Sequence, residues 1–162
     1  MYCTRYDSPV GTLLLTAEDS GLTGIYMNRE IPDQLHEHPV LQQTVLWLDA
    51  YFRGEKPPAD IPLRPEGTAF RKQVWQLLMA IPYGESRSYG ELARELAVML
   101  GKENMSAQAV GQAVGSNPIS ILIPCHRCVG AKGQLTGYAG GIDKKIWLLR
   151  HEGQQGIKKL ER

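Results

Sequence analysis

The stretch Gly54-Glu55-Lys56-Pro57-Pro58-Ala59-Asp60-Ile61-Pro62 holds three of the chain's ten prolines. Proline has no amide hydrogen and a fixed φ, so neither a helix nor a central strand continues through such a run. The stretch reads as an extended linker between halves of different hydrophobic period. Ahead of it, apolar residues in Thr12–Thr16 and Leu22–Met27 flank the turn Glu18-Asp19-Ser20-Gly21, a hairpin signal. Pro39 then opens a helix in which Leu41, Val45, Leu48 and Phe52 recur at helical spacing, and Gly54 closes it.

Behind the linker the period is helical. Phe70, Val74, Leu77, Leu78 and Ile81 form one stripe, ended by Pro82 and Gly84. Ser88 with Glu91 is a capping box that starts a helix through about Leu100. Ser106 caps a further helix, Ala107 to Val114, and Asp143 is the expected cap of a last one ending at Glu152. Short helices at this spacing predict a helix-turn-helix, with Gly101 to Met105 longer than a tight turn. The fold class is therefore α+β: an N-terminal strand-and-helix domain over 1–54, a linker over 55–66 and a helical domain over 67–162.

No apolar run approaches the roughly 20 residues of a membrane span. The N-terminus lacks the apolar segment of a secretion signal, so a cytoplasmic protein without membrane contact is expected. The net charge of +1 neither invites nor excludes nucleic acid. Arg71-Lys72, Arg127, Lys144-Lys145 and Lys158-Lys159 are candidates for a local basic face, although solvated helix surfaces explain most such pairs.

The chemistry concentrates in Ile123-Pro124-Cys125-His126-Arg127. Only the thiolate of a cysteine is a good nucleophile, and cationic or proton-accepting neighbours favour it over the ordinary thiol, whose pKa is about 8.5. The competing reading is a small buried cysteine. Cys125 and Cys128 form a C-x-x-C pair, which also occurs at metal corners and redox sites. Cys3 is the remaining thiol, and no second ligand pair stands at zinc-finger spacing. No metal is expected, and Cys128 reads as an apolar filler.

The surroundings carry more. Ser116-Asn117-Pro118-Ile119-Ser120-Ile121-Leu122-Ile123-Pro124-Cys125-His126-Arg127, then Leu135-Thr136-Gly137-Tyr138-Ala139-Gly140-Gly141 and Trp147-Leu148-Leu149-Arg150-His151-Glu152-Gly153, resemble the active-site half of the O6-alkylguanine-DNA alkyltransferases. The likeness extends upstream through Gly67-Thr68-Ala69-Phe70, Ile81-Pro82-Tyr83-Gly84 and Ser88-Tyr89-Gly90-Glu91-Leu92-Ala93. It is strong over 63–153 and weaker over the first fifty residues, where Ser8-Pro9-Val10-Gly11 matches.

The resemblance implies a ribonuclease-H-like first domain and a winged-helix-like DNA-binding domain that carries the active site. It implies that Cys125 is the alkyl acceptor, His126 its proton acceptor through a water, and Glu152 the group that orients His126. Tyr89, Tyr138, the backbone amide of Ala139 and Asn117 would form the substrate pocket, and Arg127 a structural ion pair tying the two domains. Ser106, Ala107, Gln108, Ala109 and Gly111 would lie on the helix that enters the minor groove, whose base code is degenerate. Many relatives carry arginine where Gln108 stands and serine where Ala139 stands. The implied reaction is single-turnover transfer of an alkyl group from O6-alkylguanine in double-stranded DNA to Cys125, by a monomer without a cofactor. Two rivals remain: a nonenzymatic lesion sensor of the same fold, which the presence of Cys125 opposes, and a cysteine hydrolase, which leaves the recognition helix unexplained.

Overall fold

The structure is a computed structural model and describes residues 1–135, 137, 138, 140–153, 158 and 159. Two compact units make up the chain: Met1–Glu66 with Pro118–Leu122, and Gly67–Asn117 with the residues from Ile123 onward. No described helix is long and apolar enough to cross a membrane.

In the first unit, β1 (Tyr2–Ser8), β2 (Gly11–Glu18) and β3 (Gly21–Met27) form an antiparallel sheet in the order β1-β2-β3. Leu13, Leu15 and Ala17 of the central strand are fully buried, as successive positions on one face of a pleated strand. The helix α1 (Pro39–Phe52) begins with proline in its first turn, and the side chain of His38 accepts from the amide of Val40. Its buried face is rotated from the expected stripe. Thr44 and Tyr51 are buried beside Leu41 and Leu48, while Val45 and Phe52 are half-exposed. Thr44 can be buried because its hydroxyl donates to the carbonyl of Val40 at 2.8 Å.

The proline-rich stretch is tied down rather than free. The amide of Leu22 donates to the carbonyl of Pro62 at 2.8 Å, and that of Arg64 to Leu22 at 2.7 Å. Proline cannot donate but still accepts, so the stretch can join the edge of β3. A methyl group on Gly21 would stand 2.6 Å from the Pro62 oxygen, and this close approach requires glycine there.

The second unit contains α2 (Ala69–Met79), β4 (Arg87–Ser88), α3 (Tyr89–Leu100), α4 (Ala107–Gly115), β5 (Cys128–Val129), β6 (Gln134–Leu135), α5 (Ile142–His151) and β7 (Lys158–Lys159). Ser88 and Glu91 make the reciprocal capping box, and Ser106 caps α4 by accepting from Ala109. Helices α2, α3 and α4 bury Val74, Trp75, Leu78, Leu92, Leu96 and Val110, and the indole of Trp75 donates to the carbonyl of Ala113 at 2.8 Å. One expectation fails. Gly141, not Asp143, precedes α5 and supplies no side-chain cap; Asp143 sits inside the first turn, where its charge suits the helix dipole. The apolar run before Cys125 is not a strand. It pairs briefly through Pro118 and Ser120 with Ile25, then breaks at Ile121, whose φ of +73° no strand accommodates.

Candidate active site

Pro124 leads into a 3-10 turn, Cys125–Arg127, closed when the amide of Cys128 donates to the carbonyl of Cys125. Asn117, just past the end of α4, donates from Nδ2 to the carbonyl of Ile123 at 2.8 Å. It thereby clamps both ends of the excursion through residues 118–122. The turn buries Cys125 and His126 and leaves Arg127 partly exposed.

Glu152 follows the last residue of α5, and its carboxylate is the hub of the site. Oε2 lies 2.6 Å from His126 Nε2. Arg127 donates from Nε to Oε1 at 2.8 Å and from Nη2 to Oε2 at 3.1 Å. The amide of Gly84 adds a longer contact to Oε1 at 3.4 Å. Arg127 also donates from Nη1 to the carbonyl of Ile81 at 2.7 Å, with its guanidinium 5.6 Å from the Tyr83 ring centre. Burial alone would raise the carboxyl's pKa, but His126 and Arg127 outweigh it and bring Glu152 down to about 2. For His126 burial dominates and pushes the imidazole below its usual value, against the pull of Glu152. An ionised Glu152 accepts, so Nε2 of a neutral His126 carries the proton and Nδ1 the lone pair. Nδ1 is buried and has no hydrogen-bond partner among the described residues.

Burial likewise pushes the Cys125 thiol up, while hydrogen bonds from Asn117 and Tyr138 and the charge of Lys145 pull it down. The expectation of a thiol depressed by its neighbours is corrected here: burial wins, and the resting group is the protonated thiol. Lys145 is only 1% exposed and donates from Nζ to the carbonyl of Cys128 at 2.6 Å. In the sequence Lys144-Lys145 counts as a basic surface pair, whereas the fold takes Lys145 inside. Its position between Ile142, Ile146 and Leu149 places it on the apolar stripe of α5, and that spacing was the available signal.

The bonds of Arg127 to Glu152 and Ile81 lie within the second unit. The reason is local, since Glu152 needs a second cation-strength donor. Tyr138 is half-buried, and its carbonyl accepts from the amide of Gly141 at 2.8 Å. Ala139 lies outside the described residues. Tyr89 is half-buried at the start of α3, and a methyl on Gly111 would stand 3.7 Å from its ring, so α3 and α4 approach closely there. On α4, Val110, Ala113 and Val114 face inward, whereas Ala107 and Gln108, like the cap Ser106, are exposed and Ala109 is half-buried. The outward face is thus built of small residues with two amide side chains, Gln108 and Gln112.

A family model described as "6-O-methylguanine DNA methyltransferase, DNA binding domain" matches residues 69–154, and one described as "6-O-methylguanine DNA methyltransferase, ribonuclease-like domain" matches residues 1–65. The chain is 42% identical over 159 residues to the methylated-DNA–protein-cysteine methyltransferase of Methanosarcina acetivorans, covering 94% of this chain and 99% of that protein. It is 44% identical over 151 residues to the protein of the same name from Mycobacterium tuberculosis H37Rv, covering 90% and 88%. Among solved structures, the Mycobacterium tuberculosis OGT in complex with DNA superposes with a TM-score of 0.80 at 42% identity, covering 94% of this chain and 92% of that one. The O6-methylguanine DNA methyltransferase of Methanococcus jannaschii gives a TM-score of 0.67 at 26% identity, covering 98% of each chain.

Proposed function

The chain belongs to the O6-methylguanine DNA methyltransferase family, and from that premise we propose that it repairs DNA by moving an alkyl group from O6 of guanine irreversibly to Cys125. The observation that carries this reading is the buried series Cys125, His126 and Glu152 on one turn and one helix end, with His126 Nε2 held 2.6 Å from the Glu152 carboxylate. It has the nucleophile, base and orienter logic of other activated nucleophiles.

The thiol proton passes through a water to Nδ1 of His126, and Glu152 stabilises the imidazolium that forms. The sulfur attacks the alkyl carbon as the carbon–O6 bond breaks, and guanine takes up a proton as it leaves. Carbon bound to O6 of guanine is already activated by its leaving group, so no cofactor is required. The product is a thioether that nothing in this scheme returns to a thiol, so each molecule acts once. A resting thiol suits such a protein, because a standing thiolate would be lost to other electrophiles.

The small-residue face of α4 suits a minor groove, and Gln108 at its exposed edge is the side chain to occupy the gap left by a flipped base. Tyr89 and Tyr138 complete the pocket in this reading. All these groups belong to one chain, so a monomer suffices, and the free thiol suits the reducing cytoplasm.

Titration with a duplex containing O6-methylguanine tests the proposal. Transfer should stop at one equivalent, with the added methyl mapped to Cys125 and no transfer by Cys125→Ser, which still binds DNA. Continued release beyond one equivalent would point to a hydrolase, and binding without transfer to a lesion sensor.

A further inference from the structure

Cys128 takes no part in alkyl transfer, yet it lies one 3-10 turn beyond Cys125. Its amide donates to the carbonyl of Cys125, which closes that turn. Residues i and i+3 of a 3-10 turn eclipse one another at about 6 Å along the axis. That is inside the Cα separation a disulfide spans, about 4.4–6.8 Å. Both cysteines are free, Cys125 at 7% exposure and Cys128 at 0%. Pairing of β5 with β4, Cys128 opposite Arg87, fixes the far side of the turn. The buried ammonium of Lys145 acts on both sulfurs, and Cys125 and Cys128 interact with each other electrostatically. The two thiols therefore share one enclosure with one cation.

We propose that Cys125 and Cys128 form a reversible disulfide under attack by hydrogen peroxide, a modification that caps the alkyl-acceptor sulfur and shields it from irreversible oxidation. The sulfur of Cys125 attacks one peroxide oxygen, the O–O bond breaks, and the products are a sulfenic acid and water. The sulfur of Cys128 then attacks the sulfenic sulfur and displaces its hydroxyl, which leaves as water with the Cys128 proton. In sum two thiols lose two electrons and two protons, and the peroxide becomes two waters. A small peroxide reaches Cys125 by the path an alkylated base must use. Cys128 needs no access from solvent, because its target is already inside. Lys145 favours the ionised form of the attacking sulfur in each step, against the burial that opposes it. A dithiol reductant reverses the bond.

The bond itself is independent of the function proposed above; its consequence for repair rests on Cys125 being the acceptor. The full-length protein is treated with excess hydrogen peroxide, mapped without reduction, and assayed for transfer from O6-methylguanine duplex before and after dithiothreitol. A peptide linking Cys125 to Cys128 is expected, with complete loss of transfer and nearly complete recovery. Cys128→Val and Cys128→Ala, two apolar fillers of the same space, should start with wild-type transfer, lose it to peroxide and regain none of it. Cys125 in them should carry sulfinic or sulfonic acid. Over-oxidised Cys125 beside reduced Cys128 in the wild type, a bond to Cys3 instead, or equal recovery by the variants would overturn the proposal. A mapped bond with transfer intact would refute Cys125 as acceptor, whereas lost transfer without the bond would refute only the disulfide.

Discussion

Nε2 of His126 lies 2.6 Å from Oε2 of Glu152, and neither side chain is exposed to solvent. A charge-assisted bond this short in a dry setting does more than hold the ring. It assigns the proton to Nε2 and leaves Nδ1 as the only basic atom of His126. The same carboxylate is neutralised by Arg127, so the pair can stay buried without transferring its proton.

Glu152→Gln should slow alkyl transfer by roughly 10²-fold, the lower end of what general base catalysis contributes. DNA binding should be unchanged, because α4 is untouched. Removing the charge destabilises the imidazolium and so raises the pH at which transfer reaches half its maximum rate. The acid stability of the two proteins should differ as well. Glu152 sits at about 2 against 4.5 for an ordinary glutamate, so its contribution is present above 4.5 and is lost as pH falls toward 2. Wild type should lose stability across that window and the Glu152→Gln variant much less, measured by urea unfolding at each pH. Parallel curves would refute the assignment.

Arg127→Met should be costlier to folding than to chemistry. It keeps much of the side chain's volume but leaves the Glu152 charge short of a partner and the Ile81 carbonyl without its donor. Breaking one side of a buried ion pair costs about 3–5 kcal/mol. Arg127→Lys should recover only part of this, since an ammonium cannot make the bidentate contact and reach Ile81 together. Thermal unfolding of the three proteins checks the order.

Much of this was legible in the residues, and the failures have physical causes. Capping boxes and caps such as Ser88-Glu91 and Ser106 act within one turn, so local sequence determines them. The Cys125-His126-Arg127 block and Glu152 were readable from the family likeness, and the geometry brings His126 and Arg127 to one carboxylate. Burial was not readable. It decides that Cys125 rests as a thiol and that Lys145 is inside, and both depend on which residues α5 packs against. The bend at Ile121 was hidden as well, because a β-branched residue at positive φ contradicts local preference and is imposed from outside the segment.

Gly84→Ala should weaken the site from a distance. Gly84 has φ of +82°, and an added methyl would stand 3.2 Å from the Glu152 carbonyl oxygen. Left-handed backbone costs an L-residue about 1–2 kcal/mol. The amide that contacts Glu152 Oε1 moves with the strain, so stability should fall by that amount and transfer by a few-fold. Unchanged thermal stability would show that the turn relaxes without effect.

Gln108→Arg addresses the exposed end of α4. Repair of a base in duplex DNA requires it to leave the stack, at a cost of a few kcal/mol. The observed rate scales with the fraction of complexes in which the base is out. Gln108 is shorter than arginine and uncharged, so it fills the vacated gap with fewer contacts and adds no phosphate attraction. Arginine should raise both the flipped population and the affinity, with a steeper loss of binding as salt increases. Free O6-benzylguanine needs no flipping, and its rate should stay at the wild-type value. Single-turnover rates on both substrates decide the matter. Acceleration confined to duplex assigns position 108 to base extrusion. Equal acceleration on both would place it in the chemistry of Cys125, and no acceleration on duplex would mean that glutamine already fills the gap.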